Sequence, residues 1–282
     1  MSNLKVGGCV VLYNPDDAVL TNIETYRDKL GLLVVLDNSD KPNINIIRKL
    51  GKLDNVIVIS MHGNQGIASA LNRGCSYLAE HDYDVCLTMD SDSQFPYDEY
   101  DQIMSIISPK LQSEYGLVGL NFNYFSAEKT DTIIDDKCWL TSGNFVNLNA
   151  FKQVGGFKDD LFIDYVDFDF DHSLIKHGYK VGYLRDYSLK HTIGNPITKK
   201  FFGRTVTSMN HSPIRYYYRY RNSMYLYKTD KPYYRVKYFK ELFFNIPKML
   251  LWENDKKAKL RMIAKGRQDS KAGKLGKYEG EV

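Results

Sequence analysis

The feature that most constrains this chain is a series of five short, nearly unbroken apolar segments in its first 122 residues, at 6–12, 32–36, 56–59, 85–89 and 117–122. A strand with one face in water alternates apolar and polar residues. These segments do not alternate, so both of their faces must be covered. The stretches between them, 18–30, 43–50, 67–78 and 97–107, carry helical spacing instead. In the third stretch Ile67, Ala70, Leu71, Gly74, Cys75 and Leu78 share one face. Strand and helix in alternation predict a mostly parallel α/β sheet with right-handed crossovers and flanking helices. A chain of 282 residues is long enough for one such domain and an appendage.

Open sheets of this kind bind ligands beyond the carboxyl ends of their strands. The polar residues gather there: Tyr13, Asn14 and Pro15 after the first strand, Asp37 to Asp40 after the second, His62, Gly63 and Asn64 after the third, and Asp90, Ser91 and Asp92 after the fourth. Four polar loops on one rim describe a nucleotide site. Asp37 can accept the N3–H of uracil or thymine there, or it can cap its own turn. Asn64 leads into the third helix, and Gly66 permits close backbone approach. That helix N-terminus favours a diphosphate, although Asn64 also suits a simple N-cap.

Asp90-Ser91-Asp92 directly follows a buried strand. A diphosphate leaving group needs its developing charge neutralised, and Mg2+ or Mn2+ does this with one or two protein carboxylates plus phosphate oxygens. Alternate residues of an extended backbone point in opposite directions, so Asp92 is expected to touch the metal and Asp90 to hold sugar or ribose.

The motifs Val-Val-Leu-Tyr13-Asn14-Pro, Asp37-Asn38-Ser-Asp, Asn64-x-Gly66-Ile-Ala-x-Ala-x-Asn72-x-Gly, Asp90-Ser91-Asp92 and Gly155-Gly-Phe…Phe162-Ile-Asp164-Tyr-Val-Asp167 occur in order. In this the chain resembles the family 2 glycosyltransferases, most of all the bacterial rhamnosyltransferases of cell-surface polysaccharide assembly, over about residues 5–225. The resemblance implies the GT-A fold, a nucleoside-diphosphate sugar donor (dTDP-rhamnose or a UDP-sugar), inversion at the anomeric carbon and Mg2+ or Mn2+. It implies that Tyr13, Asn14, Asp37, Asn38, Asn64, Gly66, Asn72, Asp90 and Ser91 face the donor, with Asp92, Asp90 and His191 at the metal. Trp139, Ser142 and Gly143 match the acceptor-side loop, and Arg221 would meet the pyrophosphate.

The later acidic motif would supply the general base that inversion requires. Asp164 and Asp167 share a face of a helix expected to run from Asp164 to Lys176, and either fits the role. Asp171-His172-Ser173 stands where relatives carry Cys-Leu-Arg, so the usual arginine is missing.

Charge divides the chain. Residues 1–200 hold 19 Lys and Arg against 27 Asp and Glu, whereas residues 201–282 hold 19 against 7. We therefore expect a GT-A domain over 1–200 and a basic, aromatic-rich helical region over 201–282, with frayed final residues. In the latter, Tyr238, Phe239, Leu242, Phe243, Ile246, Met249 and Leu250 form an apolar stripe flanked by lysines. The stripe would pack on the catalytic domain first, or else meet an anionic membrane or a second copy in a homodimer. No secretory leader or membrane span is legible, and Cys9, Cys75, Cys86 and Cys138 have no Cys-x-x-Cys spacing. A cytoplasmic protein with reduced thiols, working at the inner face of the plasma membrane, is expected. The acceptor would be a glycan or a lipid-linked glycan. A sugar-1-phosphate nucleotidylyltransferase would want a Gly-rich loop with Arg or Lys after the first strand, where this chain has Tyr13-Asn14-Pro15-Asp16-Asp17. The acidic body argues against nucleic acid as the partner.

Overall fold

A computed structural model describes residues 4–124, 129–191, 197–201 and 204–280. The chain forms two compact units, residues 1–158 with 167–192, and residues 159–166 with 193–282. The expected boundary at residue 200 falls inside the second unit, within a hairpin.

The first unit is built on a nine-stranded sheet. Its first half follows the apolar runs: β1 (Val6–Leu12), α1 (Ala18–Glu24), β2 (Leu33–Asp37), α2 (Ile44–Leu50), β3 (Val56–Ser60), α3 (Ile67–Glu80) and β4 (Val85–Asp90). β3, β2, β1 and β4 lie side by side and parallel. Every residue of β1 and β2 is buried, as unbroken apolar runs require. Cys9, Cys75 and Cys86 are free thiols buried together where α3 crosses the sheet.

The second half departs from strict alternation. β5 (Ser93–Gln94), α4 (Tyr100–Ser113) and β6 (Tyr115–Phe122) are followed by β7 (Ile133–Asp135), β8 (Asn144–Asn147), α5 (Leu148–Val154), α6 (Val166–Lys176) and β9 (Lys180–His191). The four-residue β8 slots antiparallel between β4 and β6. β9 pairs parallel with β6 and antiparallel with β5 and β7. Strands of two to four residues carry too few side chains for a periodicity to register, so β5, β7 and β8 are silent in the sequence.

The second unit holds the hairpin β10 (Ile197–Phe201) and β11 (Arg204–Ser208), then α7 (Pro213–Thr229), α8 (Lys231–Lys240), a single π-turn (Glu241–Asn245), α9 (Ile246–Trp252) and α10 (Lys256–Lys271). Tyr216, Tyr217, Tyr218 and Tyr220 of α7 are all buried. Tyr216 and Tyr220 pack with Met249 and Ile263, while Tyr217 and Tyr218 pack with Phe162 and Met262. The expected fraying does not hold as far as residue 280. The Tyr278 ring packs 4.6 Å from that of Tyr217, its N–H donates to the Tyr218 hydroxyl (2.8 Å), and the Gly276 N–H donates to the Asp160 carbonyl (2.7 Å). An aromatic anchor and two hydrogen bonds outweigh the glycine-rich composition. Among the described residues no helix is long and apolar enough to cross a membrane.

Candidate active site

The rim loops are laced to one another by their own side chains. β2 ends on Asp37, 2% exposed and in register with Leu12 at the end of β1. The Asn38 side chain accepts from the Gln65 N–H (2.8 Å) and donates to the Gly66 carbonyl and the Asn64 amide oxygen (both 3.3 Å). Asn64 in turn accepts from the Gly66 N–H at 3.0 Å. Gly66 itself, at φ 89°, is the N-cap of α3, a backbone conformation that disfavours a side chain. So Asn64 braces the loop and does not cap the helix. The Asn14 N–H donates to the Ser39 hydroxyl (2.9 Å), and Tyr13 stands half exposed above the rim.

Asn72 is not at the rim. Its amide donates to the Phe157 carbonyl (2.7 Å) and accepts from the Phe157 N–H (2.8 Å), pinning the Gly155-Gly156-Phe157 turn. Its expected place facing the donor is corrected accordingly.

Asp90, Asp92 and His191 converge beyond the end of β4, each offering one ligand atom within 4.8 Å of the others. The chain turns at Ser91-Asp92 instead of staying extended, so both carboxylates reach the same point. This corrects the expectation that the two would point apart. The turn is clamped from α1, where the Asn22 amide donates to the Ser91 carbonyl (2.9 Å). Antiparallel pairing of β5 with β9 places Ser93 opposite His191, and that register delivers the imidazole to the carboxylates. His191 Nδ1 lies 2.9 Å from the Ser93 hydroxyl and 3.4 Å from Asp92 Oδ1.

Behind these groups runs a buried hydroxyl relay. The Asp90 N–H donates to Ser142 Oγ, and Ser142 Oγ donates to Ser93 Oγ, each at 3.0 Å. Ser93 and Ser142 are both fully buried. Ser142 and Gly143, expected on the acceptor side, are both buried, Ser142 supporting the Asp90 turn from inside and the Gly143 N–H donating to the Thr88 carbonyl (2.7 Å). A Cβ on Gly143 would meet Leu189 Cδ1 at 2.5 Å, and its φ of 68° is one that side chains rarely adopt. Trp139 lies half buried, stacked on Tyr183 with 3.7 Å between ring centroids. Its indole N–H donates to the Leu120 carbonyl (2.9 Å) and its backbone N–H to Asp171 (2.7 Å). Asp171 therefore anchors this loop.

Asp164 and Asp167 do not share a helix face. Helix α6 begins at Val166, and Phe162, Asp164 and Tyr165 all adopt positive φ. Such residues store strain of about 1–3 kcal/mol each unless their surroundings over-determine them. Here α7 supplies the restraint. Arg215 grips both carboxylate oxygens of Asp164 at 2.7 Å, and the Asn222 amide donates to the carbonyls of Leu161, Ile163 and Asp164. The Tyr165 hydroxyl donates to Glu241, and burial pushes that phenol far above its ordinary range, which keeps it a donor. Asp167 lies in the first turn of α6, its Oδ1 accepting from the Phe168 N–H at 2.9 Å.

Arg221 is wholly buried and donates to the carbonyls of Asp160, Leu161 and Gly276. It ties the ends of the second unit together, so a pyrophosphate contact is ruled out by its burial. The Arg-Asn pair at 221–222 was legible as a motif. What it holds depends on contacts about 60 residues away, which no spacing reveals.

Residues 9–148 match the family described as Glycosyl transferase family 2. A dTDP-rhamnosyl transferase, RfbF of Shigella flexneri, is 26% identical over 253 residues, 81% of each chain. The chain carries a family 2 glycosyltransferase domain. Among solved structures, this glycosyltransferase is similar to S. aureus TarS (TM-score 0.58, 14% identity) over 86% of its own length and 44% of that chain. It is similar to GalNAc-T7 solved with UDP, GalNAc and Mn2+ (TM-score 0.62, 12% identity) over 95% of its length and 55% of that chain. The glycosyltransferase thus spans about half the length of both. A shorter TarS form, residues 1–349 with UDP-GlcNAc, superposes at TM-score 0.56 and 14% identity, over 94% of this chain and 72% of that one. The shared architecture is the GT-A fold.

Proposed function

We propose that the protein transfers a sugar from a nucleoside-diphosphate donor, dTDP-rhamnose or a UDP-sugar, to a glycan or lipid-linked glycan in cell-surface polysaccharide synthesis. Transfer inverts the anomeric carbon and uses Mg2+ or Mn2+, and the enzyme works at the inner face of the plasma membrane. The observation that carries the catalytic reading is the convergence of Asp90, Asp92 and His191 on a family 2 domain. Support for the donor comes from the relative named a dTDP-rhamnosyl transferase and from TarS, solved with UDP-GlcNAc.

The donor set suits such a cation. Two carboxylates with one imidazole form a hard-to-borderline set that accepts Mg2+ and favours Mn2+ somewhat more. Asp90, Asp92 and His191 would hold it, leaving positions for diphosphate oxygens, and GalNAc-T7 is described with Mn2+. When bound, the cation supplies charge neutralisation for the departing diphosphate.

The remaining steps fall to side chains. Asp37 accepts the pyrimidine N3–H, and Tyr13 covers the base or ribose. The first turn of α3, with Gly66 at its cap, faces the diphosphate with unpaired backbone N–H groups. Asp167 takes the acceptor hydroxyl proton as the acceptor oxygen bonds to the anomeric carbon and the bond to the diphosphate breaks. Asp167 is preferred over Asp164 because both oxygens of Asp164 are engaged by Arg215.

Two measurements test the donor half. In a thermal-shift screen, UDP- and dTDP-sugars should raise the melting temperature with Mn2+ and much less in EDTA, since a ligand at a hundred times its Kd stabilises by about 2.7 kcal/mol. Equal stabilisation by purine nucleotide sugars would refute the pyrimidine assignment. Asp37→Ala should weaken UDP binding by about 1–3 kcal/mol, the cost of leaving a buried N3–H without its acceptor. Calorimetric titration that finds unchanged affinity would remove Asp37 from the base site.

A further inference from the structure

The apolar stripe read from the sequence divides in two in the structure. Its inner half, Leu242, Ile246 and the fully buried Met249, packs beneath Tyr216 and Tyr220. Its outer part stays largely in solvent: Phe243, whose ring stacks on that of Phe239 at 5.8 Å, is 66% exposed, and beside the stripe Val236 is 76% exposed, Phe244 71% and Leu251 60%. The π-turn at Glu241–Asn245 accounts for the split, because its extra residue shifts the helical phase between α8 and α9. Phe243 and Phe244 consequently project outward where regular 3.6-residue spacing would have placed Phe243 in the packed stripe.

The charges around this face carry one sign. Between Lys231 and Trp252 the basic residues are Lys231, Arg235, Lys237, Lys240 and Lys248, and the one acid is Glu241. Glu241 is 8% exposed and ion-paired with Arg219 at 2.8 Å. The next carboxylate, Glu253, is likewise buried and paired with Lys259 at 2.8 Å. Both glutamates are therefore turned inward and neutralised, the exposed Asp255 lies past the end of α9, and Lys231, Arg235 and Lys240 remain exposed on α8.

We propose that the outer face of α8, the π-turn and α9 docks on an anionic lipid bilayer, with Phe243 and Phe244 entering the headgroup boundary and Arg235 and Lys240 meeting lipid phosphates. The proposal extends the peripheral placement given above, and its test needs no sugar transfer. Exposed aromatics among basic residues, with low net hydrophobicity, mark a helix that lies in the interface and does not span it. A second copy meeting the same face by two-fold symmetry would set basic residue against basic residue, which argues against a homodimer there.

The test is flotation of the full-length protein with phosphatidylglycerol-containing vesicles and with pure phosphatidylcholine vesicles, at low and high salt. The protein should float with the anionic vesicles at low salt and be largely released at high salt. Arg235→Glu with Lys240→Glu should reduce partitioning about tenfold or more, since each basic residue at such a surface contributes about one kcal/mol. Phe243→Ser with Phe244→Ser should reduce it comparably. Because all four side chains are exposed, melting temperatures should stay near that of the parent, and a variant that does not keep its melting temperature is replaced by Phe243→Ala with Phe244→Ala. Absence of flotation at low salt would overturn the proposal. So would flotation that neither pair of substitutions changes, or a dimer by light scattering that Phe243→Ser with Phe244→Ser converts to monomer without any lipid binding.

Discussion

Asp92→Ala is expected to lower turnover by about a thousandfold or more while leaving the melting temperature nearly unchanged. Charge neutralisation by a bound cation is worth several kcal/mol at the transition state, and each 1.36 kcal/mol is a factor of ten in rate. The stability side follows from position. The Asp92 side chain is 52% exposed, and its contact with His191 spans 3.4 Å. An exposed carboxylate in a turn contributes little to packing, and surface substitutions of this kind usually stay within about 0.5 kcal/mol. The measurement is diphosphate release over a Mn2+ titration, with Mn2+ binding followed directly by electron paramagnetic resonance. Loss of bound Mn2+ with retained fold is the expected pair of results. Full turnover in EDTA, or in the variant, would sink the metal assignment and leave the Asp90, Asp92 and His191 cluster without a chemical role.

Asp167→Asn should lower kcat by about a hundredfold to ten-thousandfold, the usual contribution of a positioned general base, with little change in donor KM. The amide oxygen can still accept from the Phe168 N–H, which Asp167 Oδ1 does at 2.9 Å, so the α6 terminus should survive. What the amide cannot do is take a proton. Asp164→Asn is the necessary comparison, because it breaks a two-pronged ion pair with Arg215 and releases the strained 162–165 segment. It should show mainly as a drop in melting temperature. If Asp164→Asn abolishes transfer at an unchanged melting temperature while Asp167→Asn remains active, the two roles must be exchanged.

The sheet's first half and the rim loops were readable because each strand there is an unbroken apolar run. Burial on both faces is written into β1, β2 and β4, whereas β3, at the sheet edge, carries the same kind of run but is only partly buried. Asp37, Asp90 and Asp92 could be named for the same reason, since each directly follows or closes such a run. His191 could be named only through the resemblance. The errors share a cause. Asn72, Ser142 and Arg221 are polar residues in motif positions, and composition cannot tell a side chain that faces a ligand from one that satisfies a backbone carbonyl inside the protein. The tail misled in the opposite direction, with loop-forming glycines hiding the aromatic anchor at Tyr278.

The sequence by itself determined the parallel half of the sheet, the loops that line its rim and the separation of an acidic body from a basic tail. These depend on local periodicity, on residues next to one another in the chain, and on charge counts. Tertiary structure alone decided which polar groups meet. Ser93 pairs with His191 across 98 positions, and Ser142 reaches the Asp90 N–H across 52. Arg215 reaches Asp164 across 51, and a single π-turn chose which face of the C-terminal stripe stays exposed. Hydrogen bonds and ion pairs are short-ranged and directional, so their partners are fixed by strand register and helix phase, and only the folded chain sets these.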